Sequence, residues 1–140
     1  MATLTVTITE ELVLNGVDRG ASNVVTATVN EVDHRILKAS TTEQTILEFD
    51  SSVAAGTFVD GTLDYLRITN LDSTNFVTLR VLGSSEEYFV KIEAGDSFIL
   101  NNSVMDANAT GSQAVALANI DTIKAEADTA ACNLEIFAAA

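Results

Sequence analysis

The sequence predicts an all-β protein, an antiparallel β-sandwich that is jelly-roll-like and has eight to ten short strands. Residues 3–9 alternate hydroxyl and aliphatic side chains without a break. Such alternation places the apolar side chains on one face of an extended strand. Similar short segments recur along the chain with turn residues about every ten positions, the spacing of sandwiches and barrels. No segment sustains the 3.6-residue period of an amphipathic helix.

Length and composition predict a single domain that spans residues 1–140. A chain of this length buries about two-thirds of its unfolded surface, so its folding needs neither a metal nor a disulfide. Hydrophobic residues make up 47% of the chain and charged residues 19%, which is too apolar for a disordered protein.

The charge balance excludes two classes of partner. The chain has 20 acidic and 7 basic residues and a net charge of −13. Such a surface repels phosphate backbones and anionic lipids, so we expect no binding to nucleic acid or membrane. Neither a signal peptide nor a membrane-spanning run is visible. We therefore expect a protein that stays in the cytosol of the cell that makes it or leaves within a particle.

The first strands are predicted from alternation and from one strong turn signal. Residues 3–9 form the clearest strand. Residues 12–14 lead into Asn15-Gly16, which is the strongest two-residue hairpin signal. A polar loop over residues 18–23 then precedes a strand over residues 24–30.

The remaining strands follow the same pattern, with turns made by Gly, Asn, Asp and Ser because the chain has no proline. They are predicted at residues 35–39, 45–49, 58–59, 64–70, 76–82, 88–92, 97–100, 123–128 and 132–136. Residues 101–111 are predicted to be a loop, and the Ala-rich residues 112–119 fit either a strand or a short helix.

The sequence predicts no catalytic, cofactor-binding or metal site, and we expect a protein that is not an enzyme. His34 is the only histidine, and no Gly-x-Ser-x-Gly motif accompanies it. Zinc sites need several Cys or His ligands, which the chain lacks. We expect His34 to be a surface or loop histidine. Cys132 alternates in phase with Leu134 and Ile136, which indicates a small core residue.

Acidic residues offer one partial calcium motif. Residues 106–111 match the opening of an EF-hand loop, but Leu117 stands where the bidentate Glu is required. A loop tip rich in turn-forming residues explains the segment better. Arg67 and Arg80 point outward on their predicted strands, and we expect them to form cross-strand pairs with acidic neighbours.

Five segments carry a family resemblance. They are residues 65–72 (YLRITNLD), 76–81 (FVTLRV), 94–100 (AGDSFIL), 14–16 (LNG) and 30–35 (NEVDHR). This arrangement resembles small virion proteins of tailed bacteriophages, especially marine ones. The motifs are structural rather than catalytic.

The resemblance implies a non-enzymatic virion protein with a β-sandwich fold, packed in many copies. The function that it implies first is capsid-surface decoration: a cement or knob protein that self-associates, docks on the head shell and is assembled in the host cytoplasm. Its partners would be further copies of itself and the major capsid protein or other virion proteins. The alternative is a tail or fibre component that acts as an adaptor or as a receptor- or glycan-binding module, although the absence of Trp argues against a sugar platform.

The first strand is the candidate assembly edge. An edge strand with neither proline nor lysine is poorly protected against pairing. It could extend the sheet of a neighbouring subunit or pair within its own sandwich, and both alternatives remain open. Its residues are Thr3, Leu4, Thr5, Val6, Thr7, Ile8 and Thr9. At the other terminus we expect residues 138–140 to be frayed.

Overall fold

The fold was established from a computed structural model that describes residues 1–52, 57–83, 86–102, 104–105 and 117–140. These residues form β-sheets that are antiparallel except for one strand pair, and they form no helix, which confirms the predicted all-β class. Within this part of the chain, no helix has the length and hydropathy that a membrane span requires.

The described residues contain fourteen strands. Four of them have only two or three residues, so ten longer strands remain, in agreement with the predicted eight to ten. The strands are β1 Ala2–Glu10, β2 Val13–Leu14, β3 Val17–Asp18, β4 Ala21–Val29, β5 Val32–Ala39, β6 Gln44–Asp50, β7 Thr57–Val59, β8 Tyr65–Asn70, β9 Val77–Gly83, β10 Glu87–Ile92, β11 Ser97–Leu100, β12 Val104–Met105, β13 Ala118–Ala127 and β14 Cys132–Ala139.

Contacts divide the chain into two compact units, residues 1–30 and residues 31–140. The prediction of a single domain over residues 1–140 stays a prediction. The first unit is a two-stranded antiparallel ribbon in which β1 pairs with β4 over their full lengths. Between Glu10 of β1 and Ala21 of β4 the chain forms the small β2–β3 hairpin, at the end that we call the far end of the ribbon. Asn15 and Gly16 have φ angles of 53° and 76° there, as the predicted two-residue turn requires.

Residues 31–140 form the sandwich. The larger sheet has the strand order β10-β9-β13-β6-β7, with β12 also paired to β13, and the smaller sheet has the order β11-β8-β14-β5. The pairs are antiparallel except for β6 with β7, which is parallel. At one side of the sandwich, the Arg35 guanidinium on β5 donates a hydrogen bond to the Ile46 carbonyl on β6, which links the two sheets.

The inner faces of the two sheets share one apolar core. Alternation decides which side chains enter it: in β8, Leu66 and Ile68 are fully buried, whereas Arg67 and Thr69 between them are partly exposed. Burying one such Leu or Ile is worth about 1.5–3 kcal/mol. The core residues of the longest central strands are Val77, Leu79 and Val81 of β9, Ile120, Ile123, Ala125 and Ala127 of β13, and Cys132, Leu134, Ile136 and Ala138 of β14.

The expectation of a frayed C-terminus is wrong. Strand β14 continues to Ala139, and Ala138 and Ala139 are fully buried. The last residue, Ala140, exchanges two backbone hydrogen bonds with Glu31, with N···O distances of 2.8 and 3.0 Å. The three alanines give no sequence signal because their small side chains pack only where long-range strand pairing places them.

Asn70 is the buried polar residue that connects three chain segments. Its side chain is fully buried at the end of β8. The Nδ2 group donates to the carbonyls of Asn75, Ile92 and Glu93 at 2.8, 3.3 and 3.2 Å. Its Oδ1 accepts from the Asp72 amide at 3.0 Å. One amide group thereby fixes the β8–β9 loop and the end of β10 at the rim of the core.

Replacing Asn70 by alanine should destabilise the protein by about 2–4 kcal/mol, because the buried amide and all its hydrogen bonds to buried and part-buried backbone groups are lost together. Chemical denaturation of the purified chain measures this loss. Asn133→Ala is the matched control, since Asn133 is exposed on the neighbouring strand β14. Equal unfolding free energies for the two variants would contradict the role of Asn70.

Candidate assembly surface

The ribbon of residues 1–30 has two chemically different faces. Cross-strand pairing places Leu4 opposite Ala27 and Val6 opposite Val25 on one face, which we name the apolar face. Ile8 continues this face along β1. The opposite hydroxyl face carries the threonines of β1 together with Ser22, Val24, Thr26 and Thr28 of β4. The period of two continues over most of both strands, and it is interrupted at Asn23 on the apolar face and Val24 on the hydroxyl face.

Both faces of the ribbon reach solvent. Ile8 and Val25 are each 37% exposed and Val24 is 57% exposed. At the far end the exposed apolar residues are Leu12, Val13, Leu14 and Val17. A two-stranded ribbon is marginally stable in water because it lacks a covering layer. This unit therefore has apolar surface and two strand edges available for a partner.

Charge is absent from most of the ribbon. The charged side chains of residues 1–30 are Glu10, Glu11, Asp18 and Arg19, which all lie toward the β2–β3 end. Strand β4 carries none, and β1 carries none before Glu10. On a chain with a net charge of −13, the body of the ribbon is thus the place where a neighbouring copy meets little repulsion.

The predicted assembly edge, residues 3–9, lies within β1. One side of β1 is satisfied by β4, so pairing within the chain does occur, in the ribbon. In the part of the chain that the structure describes, β1 has no strand partner on its other side. That edge is free for strand addition, and its use by a neighbouring subunit stays a prediction.

Gly20 allows the chain to turn tightly into β4. Its amide donates a hydrogen bond to Asp18 Oδ1 at 2.8 Å. A Cβ atom at this position would lie 2.3 Å from the Glu10 carbonyl oxygen, closer than any real contact. Only glycine therefore lets the two strands approach at this end of the ribbon.

Residues 18–23, predicted to be a loop, contain the start of β4, because that strand begins at Ala21. The strand predicted over residues 24–30 therefore begins three residues earlier than expected, at Ala21. The available signal was the run of uncharged residues from Ala21 onward. In the structure each residue of β4 pairs with one residue of β1.

The smaller sheet carries an ion cluster on its outer face. Glu135 on β14 accepts from Arg67 Nη1 at 2.8 Å and lies 3.1 Å from His34 Nε2. These contacts hold the pKa of Glu135 below its ordinary value, with the hydrogen bond from His34 as the larger cause and that from Arg67 next. The expectation of a surface histidine is confirmed, since the His34 side chain is 57% exposed on β5.

The larger sheet carries a second cluster around Arg80 on β9. Its guanidinium lies 2.6 Å from Glu87 and 3.1 Å from Glu43, and Lys124 lies 3.4 Å from Glu43. The prediction that Arg67 and Arg80 form pairs with acidic neighbours is confirmed. Exposed ion pairs of this kind contribute little individually, so both clusters mainly order the outer faces.

The other sequence candidates are either buried or not described. Cys132 is a core residue as predicted, and burial raises the pKa of its thiol. The EF-hand-like segment, residues 106–111, lies outside the described residues. Among the residues described, no group of three or more His, Cys, Asp or Glu side chains is placed to hold a metal ion.

Comparison with protein-family models, with curated proteins and with solved structures finds no match for this chain. The resemblance to phage virion proteins therefore stays a prediction.

Gly20→Ala should disrupt the ribbon, because the added methyl group collides with backbone rather than with a movable side chain. We expect a loss of about 1–3 kcal/mol in the stability of the β1–β4 pairing. Amide chemical shifts measured by NMR should move along β1 and β4 and stay constant in the sandwich. Ser22→Ala, which removes only an exposed hydroxyl contact to Thr9, is the control. Changes confined to the immediate neighbours of residue 20 would contradict this role.

Glu135→Gln should lower stability at neutral pH and not at acidic pH. A carboxyl whose folded pKa is depressed stabilises the native state above its unfolded pKa, and this stabilisation disappears as pH falls through the folded pKa. Urea midpoints should therefore differ between wild type and variant at about pH 7, and the difference should shrink as the pH is lowered toward about 3. The exposed Glu126→Gln is the control. A constant difference at both pH values would contradict the linkage.

Proposed function

We propose that this protein is a non-enzymatic structural component of a tailed-phage virion, a decoration protein that self-associates and docks on the outer surface of the capsid. In this proposal the sandwich of residues 31–140 is the compact body displayed on the head shell. The ribbon of residues 1–30 makes the contacts with neighbouring subunits, which are further copies and the major capsid protein.

The observation that carries the proposal is the exposed ribbon, whose body carries no charged side chain before Glu10 on β1 and none on β4. Its strands pair only with each other in the described structure, and its apolar side chains reach solvent. Such an element is marginal alone and gains stability when a neighbour covers it or extends its sheet. Proteins that assemble in many copies use such exposed strands to join adjacent subunits.

The charge distribution supports the same role. Most of the negative charge belongs to residues 31–140, whereas the body of the ribbon is neutral. The acidic body keeps separate copies soluble and apart from packaged nucleic acid, while the neutral ribbon can approach another protein surface.

A tail or fibre adaptor is the second candidate, and one observation favours it. Phe89 is 60% exposed on β10 at the edge of the larger sheet, and the Arg80 guanidinium lies 5.7 Å from its ring centroid. An exposed aromatic ring beside a cation is a feature of binding surfaces. In the same region Lys91 lies 4.2 Å from the ring centroid of Phe76.

Mass spectrometry of purified virions of the encoding phage, with heads and tails separated, tests the proposal. We expect the chain in the head fraction, at a copy number in fixed proportion to the major capsid protein. Gly20→Ala should lower this copy number and Ser22→Ala should not, because only the first disturbs the ribbon. Absence from all particles contradicts a virion role, and presence in tails alone favours the adaptor.

A further inference from the structure

The apolar face of the ribbon exposes aliphatic side chains to solvent. Leu4, Val6, Ile8, Val25 and Ala27 lie on one side of the two-stranded sheet, where they range from half-buried to exposed. At one end of the same face Val29 is buried, and Asn23, opposite Ile8, is an uncharged polar member of it. Most of the hydroxyl face consists of residues that water solvates well. A single additional layer is therefore sufficient to complete the ribbon.

The covering layer must itself be apolar and uncharged. A basic partner surface finds no carboxylate on this face before Glu10, at the β2–β3 end. The same face of another copy presents the same aliphatic side chains together with the uncharged Asn23, and it carries no charge before Glu10. Packing two identical faces about a two-fold axis makes each residue contact its symmetry-related set, which is a self-complementary, isologous contact.

The small area of the apolar face limits the affinity of this contact. A ribbon with nine paired residues is about 30 Å long and about 10 Å wide, so each copy offers about 300 Å². Stable interfaces bury about 800 Å² on each side, so this contact alone is weak and reversible. The contact between two ribbons would still form when many copies are fixed on one shell, because the effective concentration of ribbons there is high.

From these observations we infer that the ribbons of two copies pack face to face through their apolar faces and form a weak, closed dimer. The inference deepens the proposed function and rests on its assembly role, because it names the partner of the same ribbon. It differs from strand addition in using a face rather than the free edge of β1. One apolar face per ribbon closes the assembly at two chains.

Sedimentation equilibrium of the full chain without capsids is the first test. The average mass should rise from 14.8 kDa toward twice that value with concentration. Half-saturation is expected between about 0.1 and 1 mM, the affinity of a small contact. A mass that remains at one chain up to about 2 mM overturns the inference, as does growth beyond two chains.

Two adjacent valines provide matched variants that locate the contact. Val25 belongs to the apolar face and Val24 to the hydroxyl face of the same strand. Val25→Asp should raise the dimer dissociation constant at least about tenfold because a charge enters the contact, whereas Val24→Asp should change it less than about twofold. Equal effects of the two variants, or no effect of either, contradict the face-to-face arrangement.

Cysteine variants test the same contact if the introduced aspartate at position 24 or 25 prevents the ribbon from folding. Cys132 is fully buried, so a short bismaleimide reacts with an introduced surface thiol. The Val25→Cys protein should cross-link into dimers and the Val24→Cys protein should not. If the protein binds capsids but forms no dimer, the face-to-face dimer is overturned and the capsid role is not. If the protein forms the dimer but is absent from virions, the capsid role is overturned and the dimer is not.

Discussion

An apolar sheet face must be covered by another layer, and this constraint organises the whole protein. In residues 31–140 the two sheets cover each other. Leu66, Ile68 and Leu134 enter the core from the smaller sheet and Leu79 and Ile123 from the larger. Polar and charged side chains are thereby directed to the two outer faces, where they form the clusters around Glu135 and Arg80.

In residues 1–30 the apolar face stays partly exposed to solvent. The ribbon has the alternation of a sandwich strand pair but no second layer of its own in the described structure. Exposed valines and the absence of charge in β4 lower the stability and solubility of an isolated monomer. The same features favour contact with another protein surface. The proposed assembly role rests on this contrast rather than on any group of reactive side chains.

Local patterns in the sequence predict much of this fold. Alternation located most of the longer strands, and the positive φ angles of Asn15 and Gly16 follow from residue type alone. Other features depend on pairing between distant segments. The parallel contact of β7 with β6, the short β12 and the buried residues 138–140 arise only when the sheets are assembled. Asn is a typical turn residue, so the sequence predicts only a local role for Asn70. In the structure its side-chain amide forms hydrogen bonds to carbonyls more than twenty positions away.

The candidate surface was predictable only in part for the same reason. The threonine alternation of β1 indicated an exposed edge, but its partner strand began inside a segment predicted to be a loop. Which face lacks a covering layer is a property of the folded chain. No local pattern distinguishes a strand that will be covered from one that stays open, because both carry the same period of two.

Amide hydrogen exchange of the full chain as a function of protein concentration tests the central claim most directly. If the ribbon depends on association, protection of β1 and β4 amides should rise with concentration while that of β8, β9 and β14 stays constant. Ribbon protection that is as strong at low concentration as at high concentration would contradict the account, because the ribbon would then be stable without a partner.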